Sequence, residues 1–316
     1  MQESSRRAHR AIRRGLRKGL SGFIWLLKIL LPVSLATALL DYSGWIPEID
    51  FLLKPVMEVL SLPPSAALPI LIGMTAGIYA CLAAMAVLPL STDHMTIIAV
   101  FVLIAHNLPQ EGIIQARSGI NFVKTTLVRI AAAVAACGVV AACLQAEAGS
   151  TSASIRASAE LLSIWAFLQN WLTETLQLCM KILVIVAVVM VMIELMKEFN
   201  MIDVFVRILA PVLRMMGLHQ RAGLLWLTGV LFGLAYGGAV IVEESRDLRL
   251  SPEEIEKLQL SIGINHSMIE DPLLFMPLGV NLVWLWVPRL AAAVAAVYLI
   301  SLWYKLKRAL KRESSA

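Results

Sequence analysis

The chain has 316 residues, of which 59% are hydrophobic and 16% are charged, and its mean hydropathy is +0.78. An average soluble domain carries about 25% charged residues and about 45–50% apolar ones. The composition excludes a soluble globular protein, a disordered chain and a small disulfide scaffold, and it predicts an all-α polytopic membrane protein. At about 20 residues per span, the length allows about six to nine membrane helices.

The net charge of +5 is distributed unevenly along the chain. The two ends, 1–18 and 305–316, carry an excess of Lys and Arg, so the part between them is net acidic. Basic ends are typical of segments that lie against an anionic cytoplasmic leaflet. We therefore expect a multi-pass protein of the bacterial cytoplasmic (inner) membrane with both termini in the cytoplasm. No element that could read a nucleic acid follows the basic N-terminal segment, so no nucleic-acid partner is expected.

Apolar segments predict the membrane spans in chain order. The first half contains a short amphipathic stretch at 51–62, which we expect in the membrane interface, and apolar segments at 23–40, 66–90, 95–120 and 122–143. A polar linker at 144–171 follows, and the second half has apolar segments at 178–196, 222–242, 255–280 and 282–304. The third segment of each half is interrupted by a histidine, polar residues, an acid and a proline.

The two halves, 19–143 and 172–304, repeat one another. Arg129 begins the sequence RIAAAVAA and Arg289 begins RLAAAVAA, and seven of these eight positions are identical at an offset of 160. The same offset aligns the two interruptions through the pairs His106–His266, Gln110–Glu270, Glu111–Asp271, Gly119–Gly279 and Asn121–Asn281. An ordered series of polar residues across two halves indicates a structural repeat rather than a shared bias in composition.

The charge of the loops favours an inverted relation between the repeats. If 95–120 and 255–280 fold back as hairpins, each repeat has three crossings and the basic segment 197–221 is cytoplasmic, as the positive-inside rule requires. If both cross fully, 197–221 falls outside. The sequence therefore favours two inverted repeats, each with about three transmembrane helices and a broken-helix hairpin. On this topology 145–160 and 252–257 face outward.

A broken hydrophobic segment at equivalent places of two inverted repeats points to a transport site near the bilayer midplane. Irregular backbone at that depth is tolerated only where it is buried in protein or lines a cavity that contains water. The interruptions and their flanks offer both hydrogen-bond donors and acceptors. The candidate substrate-binding residues are His106, Asn107, Gln110, Glu111, Asn121, His266, Ser267, Glu270, Asp271 and Asn281.

The two histidines also have a purely structural explanation. A histidine at a helix end can serve as a hydrogen-bonded packing residue, and the sequence leaves this role open for His106 and His266. A metal site would need both histidines to converge with carboxylates from both interruptions, and their spacing matches no recognised metal motif. We expect no resident metal and no cofactor.

Arg129 and Arg289 lie well inside their predicted spans, where an ionisable side chain needs a partner. The natural partners are acids of the same repeat: Glu111 for Arg129, and Asp271 or Glu270 for Arg289. These predicted ion pairs serve either to fix each interruption against the following helix or to contact the substrate directly.

The two-fold layout, the His-polar-acid interruption followed by Gly and Asn, and the Gly-rich preceding segment resemble the nucleoside recognition (Gate) domain family. That family includes the spore maturation proteins A and B and the membrane part of bacterial ferrous-iron permeases, and it is distantly similar to the core of concentrative nucleoside transporters. In those transporters a hairpin tip with a Gln-Thr-Glu-type sequence binds the base. Gln110-Glu111 is similar to this tip but lacks the Thr.

The sequence thus predicts a secondary transporter or permease for a small polar solute, either nucleoside-like or an ion, with its site between two hairpin tips. One alternative is a non-transporting membrane assembly factor of the spore-maturation type, whose polar tips would bind another membrane protein. Another is a divalent metal-ion permease. No catalytic constellation is recognisable, so no enzymatic activity is expected. The expected partners are the substrate and the lipid bilayer, and both a homo-oligomer and a paired membrane subunit stay open.

Overall fold

The computed structural model describes residues 2–44, 54–146, 163–199 and 250–313, and scattered positions between 201 and 233. This described part contains helices and connecting turns but no strand. The helices in chain order are α1 (Gln2–Tyr42), α2 (Ala67–Ala76), α3 (Ile78–Met85), α4 (Thr92–Ala105), α5 (Leu108–Ala116), α6 (Phe122–Leu144), α7 (Ile164–Glu198), α8 (Pro252–Asn265), α9 (Glu270–Leu274) and α10 (Leu282–Glu313).

Five segments of the described chain are long and apolar enough to cross a membrane. They are Ser5–Tyr42, Thr92–Ala116, Phe122–Leu144, Ile164–Glu198 and Leu282–Leu310. The predicted class, an all-α polytopic membrane protein, is confirmed. Thr92–Ala116, which joins α4 and α5, is mostly buried among the other helices, so it is central in the fold.

The long helices α1 and α7 pack against each other in opposite directions. Near one end Trp171 Nε1 donates to Ser34 Oγ at 3.0 Å, and toward the other Lys18 Nζ lies 2.7 Å from Glu194 Oε1. A Cβ on Gly19 would lie 3.0 Å from the backbone of α7, because small residues let the two helices approach closely. The two helices hold equivalent places in the repeats, and inverted repeats require opposite directions there. The inverted relation itself stays a prediction.

Both predicted basic tails continue membrane helices. α1 begins at Gln2 and runs into the first apolar segment, and α10 continues to Glu313. Part of the N-terminal charge is used within the protein, because Arg7 Nε lies 3.2 Å from Glu198 Oε1 and Arg14 also contacts Glu198. The described residues of the predicted interfacial stretch at 51–62 include a short helix at 54–58.

The segment predicted as a span at 66–90 is instead a pair of short helices that folds back on itself. Gly77, between α2 and α3, has φ +94° and ψ −178°, a conformation that is essentially restricted to glycine. A Cβ on Gly73 would lie 3.1 Å from the Cβ of Cys81. Eight residues of continuous helix would separate these positions by about 12 Å. The expectation of a span here is therefore wrong.

The interrupted segment at 95–120 is a broken helix, and the predicted hairpin there is wrong. α4 and α5 make almost no contact with each other, and α5 packs on α6 instead. The break at His106-Asn107 thus redirects the helix without folding it back. In the second half α8 and α9 are likewise not packed side by side, so the hairpin predicted at 255–280 is also wrong. In the first repeat a fold-back is present, but it is the pair α2 and α3, which precedes the broken helix.

The second half shows the same features where it is described. Gly233 aligns with Gly77 and also has a positive φ, +76°. A Cβ on Gly73 would lie 2.8 Å from Val102 of α4, and a Cβ on Gly229 would lie 2.7 Å from Ile262, the equivalent residue of α8. Residues 234–249 lie outside the described part of the chain.

The acidic start of α8 lies at the same end of the bundle as the basic C-terminal helix. Glu253 Oε2 lies 3.3 Å from Arg308 Nη2, and Glu256 contacts Lys124 at the start of α6. The expectation that 252–257 lies on the side opposite the C-terminus is therefore wrong.

Replacing Gly77 by Ala should destabilise the protein, because the backbone there is essentially restricted to glycine and such strain costs about 1–3 kcal/mol. Gly138→Ala is the matched control, since Gly138 lies inside α6 with nothing within 4 Å of the added Cβ. Thermal unfolding in detergent should show a lower Tm for Gly77→Ala and an unchanged or higher Tm for the control. Equal Tm values for the two variants would contradict the tight turn at Gly77.

Single cysteines at Asp93 and Arg117 should react from opposite sides of the membrane. Both residues are exposed, at the two ends of the broken helix, which has the length and apolarity of a complete span. The measurement is labelling by an impermeant maleimide in intact cells and in inverted vesicles, in a variant without native cysteines. Labelling of both positions from the same side would contradict a complete crossing and support the hairpin instead.

Candidate functional site

The break in the first repeat begins where the backbone hydrogen bonds of α4 run out. The last carbonyls of a helix have no partner within it. Pro109 has no N–H group, so the carbonyl of Ala105 cannot be satisfied four residues later. The backbone N–H of Asn107 donates to Gly73 O at 3.0 Å. A carbonyl near the tip of the fold-back thus accepts a hydrogen bond from a backbone N–H of the break.

Arg129 of α6 satisfies two carbonyls at the same break. Its Nε donates to Ile104 O at 2.9 Å and its Nη2 donates to His106 O at 3.0 Å. The side chain is 1% exposed, so water does not compete for these groups. A charged donor in this position is stronger than a neutral one.

Arg289 of α10 repeats this arrangement in the second half. Its Nη2 donates to His266 O at 2.6 Å, and its Nε lies at a longer 3.4 Å from Ile264 O. The same residue type at the same two carbonyls, 160 positions later, shows that the two breaks are built in the same way.

The two arginines differ in their acidic partners. Glu111 Oε2 lies 2.8 Å from Arg129 Nη1, which is the contact predicted from the sequence. Arg289 has no carboxylate of Asp271 or Glu270 within 4.0 Å, so the contact that Arg129 makes with Glu111 has no counterpart in the second repeat. The predicted ion pair of Arg289 is therefore wrong. The Asp271 side chain is one methylene shorter than Glu111 at the equivalent position, which limits its reach.

The two histidines meet at the centre of the protein. His106 Nε2 and His266 Nε2 are 3.0 Å apart, and both residues are buried. Because they are equivalent residues, their contact lies where any axis relating the halves must pass. Glu111 Oε1 lies 3.2 Å from the first of these nitrogens and 3.1 Å from the second. One carboxylate thus contacts histidines of both repeats.

The other ring nitrogen of each histidine faces the backbone. His106 Nδ1 lies 2.9 Å from Val102 O, and His266 Nδ1 lies 3.1 Å from Ile262 O. A carbonyl oxygen can only accept, so each Nδ1 carries the hydrogen. In a neutral imidazole the Nε2 is then an acceptor. Each ring is therefore held with its Nε2 directed at the other half.

A second carboxylate belongs to this cluster. Ligand atoms of His106, His266 and Asp271 all lie within 4.8 Å of one another, and Asp271 is 8% exposed. Glu270 is drawn away, because Tyr79 of α3 donates to its Oε1 at 3.2 Å. We call His106, His266, Glu111 and Asp271 the central cluster.

The remaining predicted site residues fall into two groups. Asn107 Nδ2 donates to Gln110 Oε1 at 3.1 Å within the first break, and Ser267 has φ +48° at the second. Asn121 and Asn281 are exposed, and each accepts a hydrogen bond at 2.9 Å from a backbone N–H of the helix that follows it. These two asparagines therefore cap helices and are not brought together with the central cluster.

Several polar residues near the cluster are not among the predicted ones. Gln115 Nε2 donates to Gln259 O at 2.7 Å, and Gln259 Nε2 donates to Ser118 Oγ at 2.8 Å, so this network joins the halves. Asn265 is fully buried and neither of its amide atoms has a hydrogen-bond partner. Tyr79 anchors Glu270. Their common signal in the sequence is a polar residue within an apolar segment close to an interruption.

Fold and site together define a polytopic α-helical membrane protein with two matching helix breaks at its centre. Residues 23–145 match the family model described as Gate, nucleoside recognition, which confirms the resemblance inferred from the sequence. The chain is 28% identical over 298 residues to the uncharacterized membrane protein YvoD of Bacillus subtilis (strain 168), and the alignment covers 93% of this chain and 95% of that protein. No solved structure matches the chain significantly.

Glu111→Gln should destabilise the protein by about 3–5 kcal/mol, because removing one member of a buried ion pair leaves the other uncompensated. Adding Arg129→Gln should recover part of this loss, which gives a coupling energy of about 1–3 kcal/mol. The control is the equivalent double-mutant cycle of the second repeat, Asp271→Asn with Arg289→Gln. Its coupling energy should be clearly smaller, because Asp271 and Arg289 form no ion pair. Thermal melts in detergent measure both cycles. Equal coupling in the two repeats would contradict the asymmetry.

Proposed function

We propose that the protein is a membrane permease that moves a small polar solute or ion through the two helix breaks. The observation that carries this proposal is the contact between His106 and His266, which brings two equivalent breaks together. Broken helices at matching places of repeated halves are the way in which many secondary transporters build a substrate site. Irregular backbone at membrane depth leaves polar groups that must be satisfied at a cost in free energy. A protein that only anchors something to the membrane can avoid this cost with continuous helices.

The composition of the central cluster supports the same proposal. Ionisable residues inside a membrane are expensive, and they typically mark a pathway for ions or substrates. The cluster combines Glu111 and His106 from the first half with Asp271 and His266 from the second. Any relative movement of the halves must change these contacts, as an alternating site requires.

The size of the site favours an ion. The rings of His106 and His266 lie with their centroids 4.6 Å apart, which leaves no space for a nucleobase between them. The description of the matching family model, nucleoside recognition, favours a nucleoside, which the halves could hold only after separating. The proposed function needs no enzymatic step. We also propose that the protein lies in a bacterial inner membrane with both termini on the cytoplasmic side.

The test is whether the breaks are reached from both sides of the membrane. Gln110→Cys and Ser267→Cys each place a thiol at one break, where the native side chains are exposed and half-buried. In a variant without the four native cysteines, both thiols should react with a small charged thiosulfonate in intact cells and also in inverted vesicles. A transporter exposes its site to the two sides of the membrane in turn, so each thiol should be labelled both in intact cells and in inverted vesicles.

Asp93→Cys and Arg117→Cys are the controls, since each should react from one side only. They establish that the reagent does not leak through the bilayer. If Gln110→Cys and Ser267→Cys react from the same single side, the site does not alternate. That result would contradict the permease and favour the assembly factor.

A further inference from the structure

We propose that the central cluster binds one divalent transition-metal ion, and that this ion is the solute. The second part rests on the proposed permease function, whereas binding of the ion does not. The ligands are His106 Nε2, His266 Nε2 and Glu111 Oε1, and a carboxylate oxygen of Asp271 is the fourth.

The orientation of the histidines is that of metal ligands. A histidine that binds a metal almost always donates its other ring N–H to a carbonyl, a carboxylate or water, which fixes the tautomer and directs the free lone pair. His106 does this through Val102 O and His266 through Ile262 O. Glu111 is held in the same manner, because Arg129 contacts Oε2 and leaves Oε1 facing the histidines.

The spacing of the ligand atoms fits a small tetrahedral ion. A metal with ligands at about 2.0–2.1 Å has ligand atoms about 3.3 Å apart along the edges of its tetrahedron. The three contacts among the two Nε2 atoms and Glu111 Oε1 measure 3.0, 3.1 and 3.2 Å. These atoms match one face of such a tetrahedron. Asp271 is the candidate for the fourth ligand, because one of its carboxylate oxygens lies within 4.8 Å of a ring nitrogen of each histidine.

The chemistry of the cluster favours a cation among its ligand atoms. Two imidazole lone pairs and a carboxylate oxygen in mutual contact repel one another unless a positive charge lies among them. Arg129 balances part of the Glu111 charge through Oε2, whereas Arg289 is directed to the carbonyl of His266, so Asp271 is the carboxylate whose charge a bound cation would balance. A single proton shared by the two Nε2 atoms is the competing explanation.

The ligand types define the class of metal. Two imidazoles with two carboxylates suit Zn²⁺, Fe²⁺, Mn²⁺ and Co²⁺, whereas Mg²⁺ and Ca²⁺ prefer oxygen ligands alone. The cluster contains no sulfur, so it is not selective for Cu⁺. Co²⁺ is therefore a suitable probe, because tetrahedral Co²⁺ has intense visible absorption and the hydrated ion does not.

The experiment titrates Co²⁺ into the full-length protein in detergent, prepared without a histidine tag. The expected result is one tetrahedral Co²⁺ per chain, which Zn²⁺ displaces. His266→Gln and Asp271→Asn should each weaken binding at least tenfold. Glu270→Gln is the matched acidic control, because this neighbour is held by Tyr79, and His9→Gln tests an exposed histidine outside the cluster. Both controls should bind as the wild type does.

The wild-type titration alone can overturn the proposal, whatever happens to the folding of the variants. Absence of the tetrahedral spectrum means that the histidines share a proton instead. Equal loss of binding in Glu270→Gln and Asp271→Asn, with unchanged melting curves before metal is added, would also overturn the assigned ligands. If the protein binds Co²⁺ but the cysteines at the breaks react from one side only, the metal site is correct and the permease function is wrong. If the cysteines react from both sides but no Co²⁺ binds, the permease function stands and the metal site is wrong.

Discussion

A helix that stops inside a membrane protein exposes carbonyls that lipid cannot satisfy, and one arginine in each repeat meets this constraint here. Arg129 and Arg289 each reach from a long helix to the two carbonyls at the end of a broken one. The breaks can therefore be buried at the centre instead of lying at the surface. The histidine contact, the position of the carboxylates and the packing of the fold-back tips all depend on where these two helices end.

The first repeat contains a proline that explains its break, and the second does not contain one at the same place. Pro109 aligns with Ile269, and Pro272 lies three residues further on, within the short helix α9. The second helix nevertheless ends at the histidine. The N–H of Met268 donates to Val230 O at 2.8 Å, three residues before Gly233. In the second repeat a tertiary hydrogen bond, instead of a proline, thus accompanies the end of the helix.

The sequence predicts the convergence of His106, Glu111 and Arg129 because the repeat aligns each with a counterpart of similar chemistry. It does not reveal the fold-back at Gly77. Small residues four apart indicate close packing between any two helices, and a positive φ at one of them leaves no separate mark in a single sequence. The partner of Arg289 also cannot be predicted, since the difference between Glu111 and Asp271 is one methylene whose effect depends on the exact distance across the break.

The Nε2 atoms of His106 and His266 are not needed to satisfy the ends of the broken helices. Once Arg129 and Arg289 satisfy the carbonyls, each histidine needs only its Nδ1 to complete the end of its helix. The two Nε2 atoms serve no backbone group and instead face each other and Glu111. Apolar side chains of similar volume at the centre would avoid the desolvation that these groups incur. Two buried ring nitrogens without a backbone partner, one from each half, are what the proposed ion site needs.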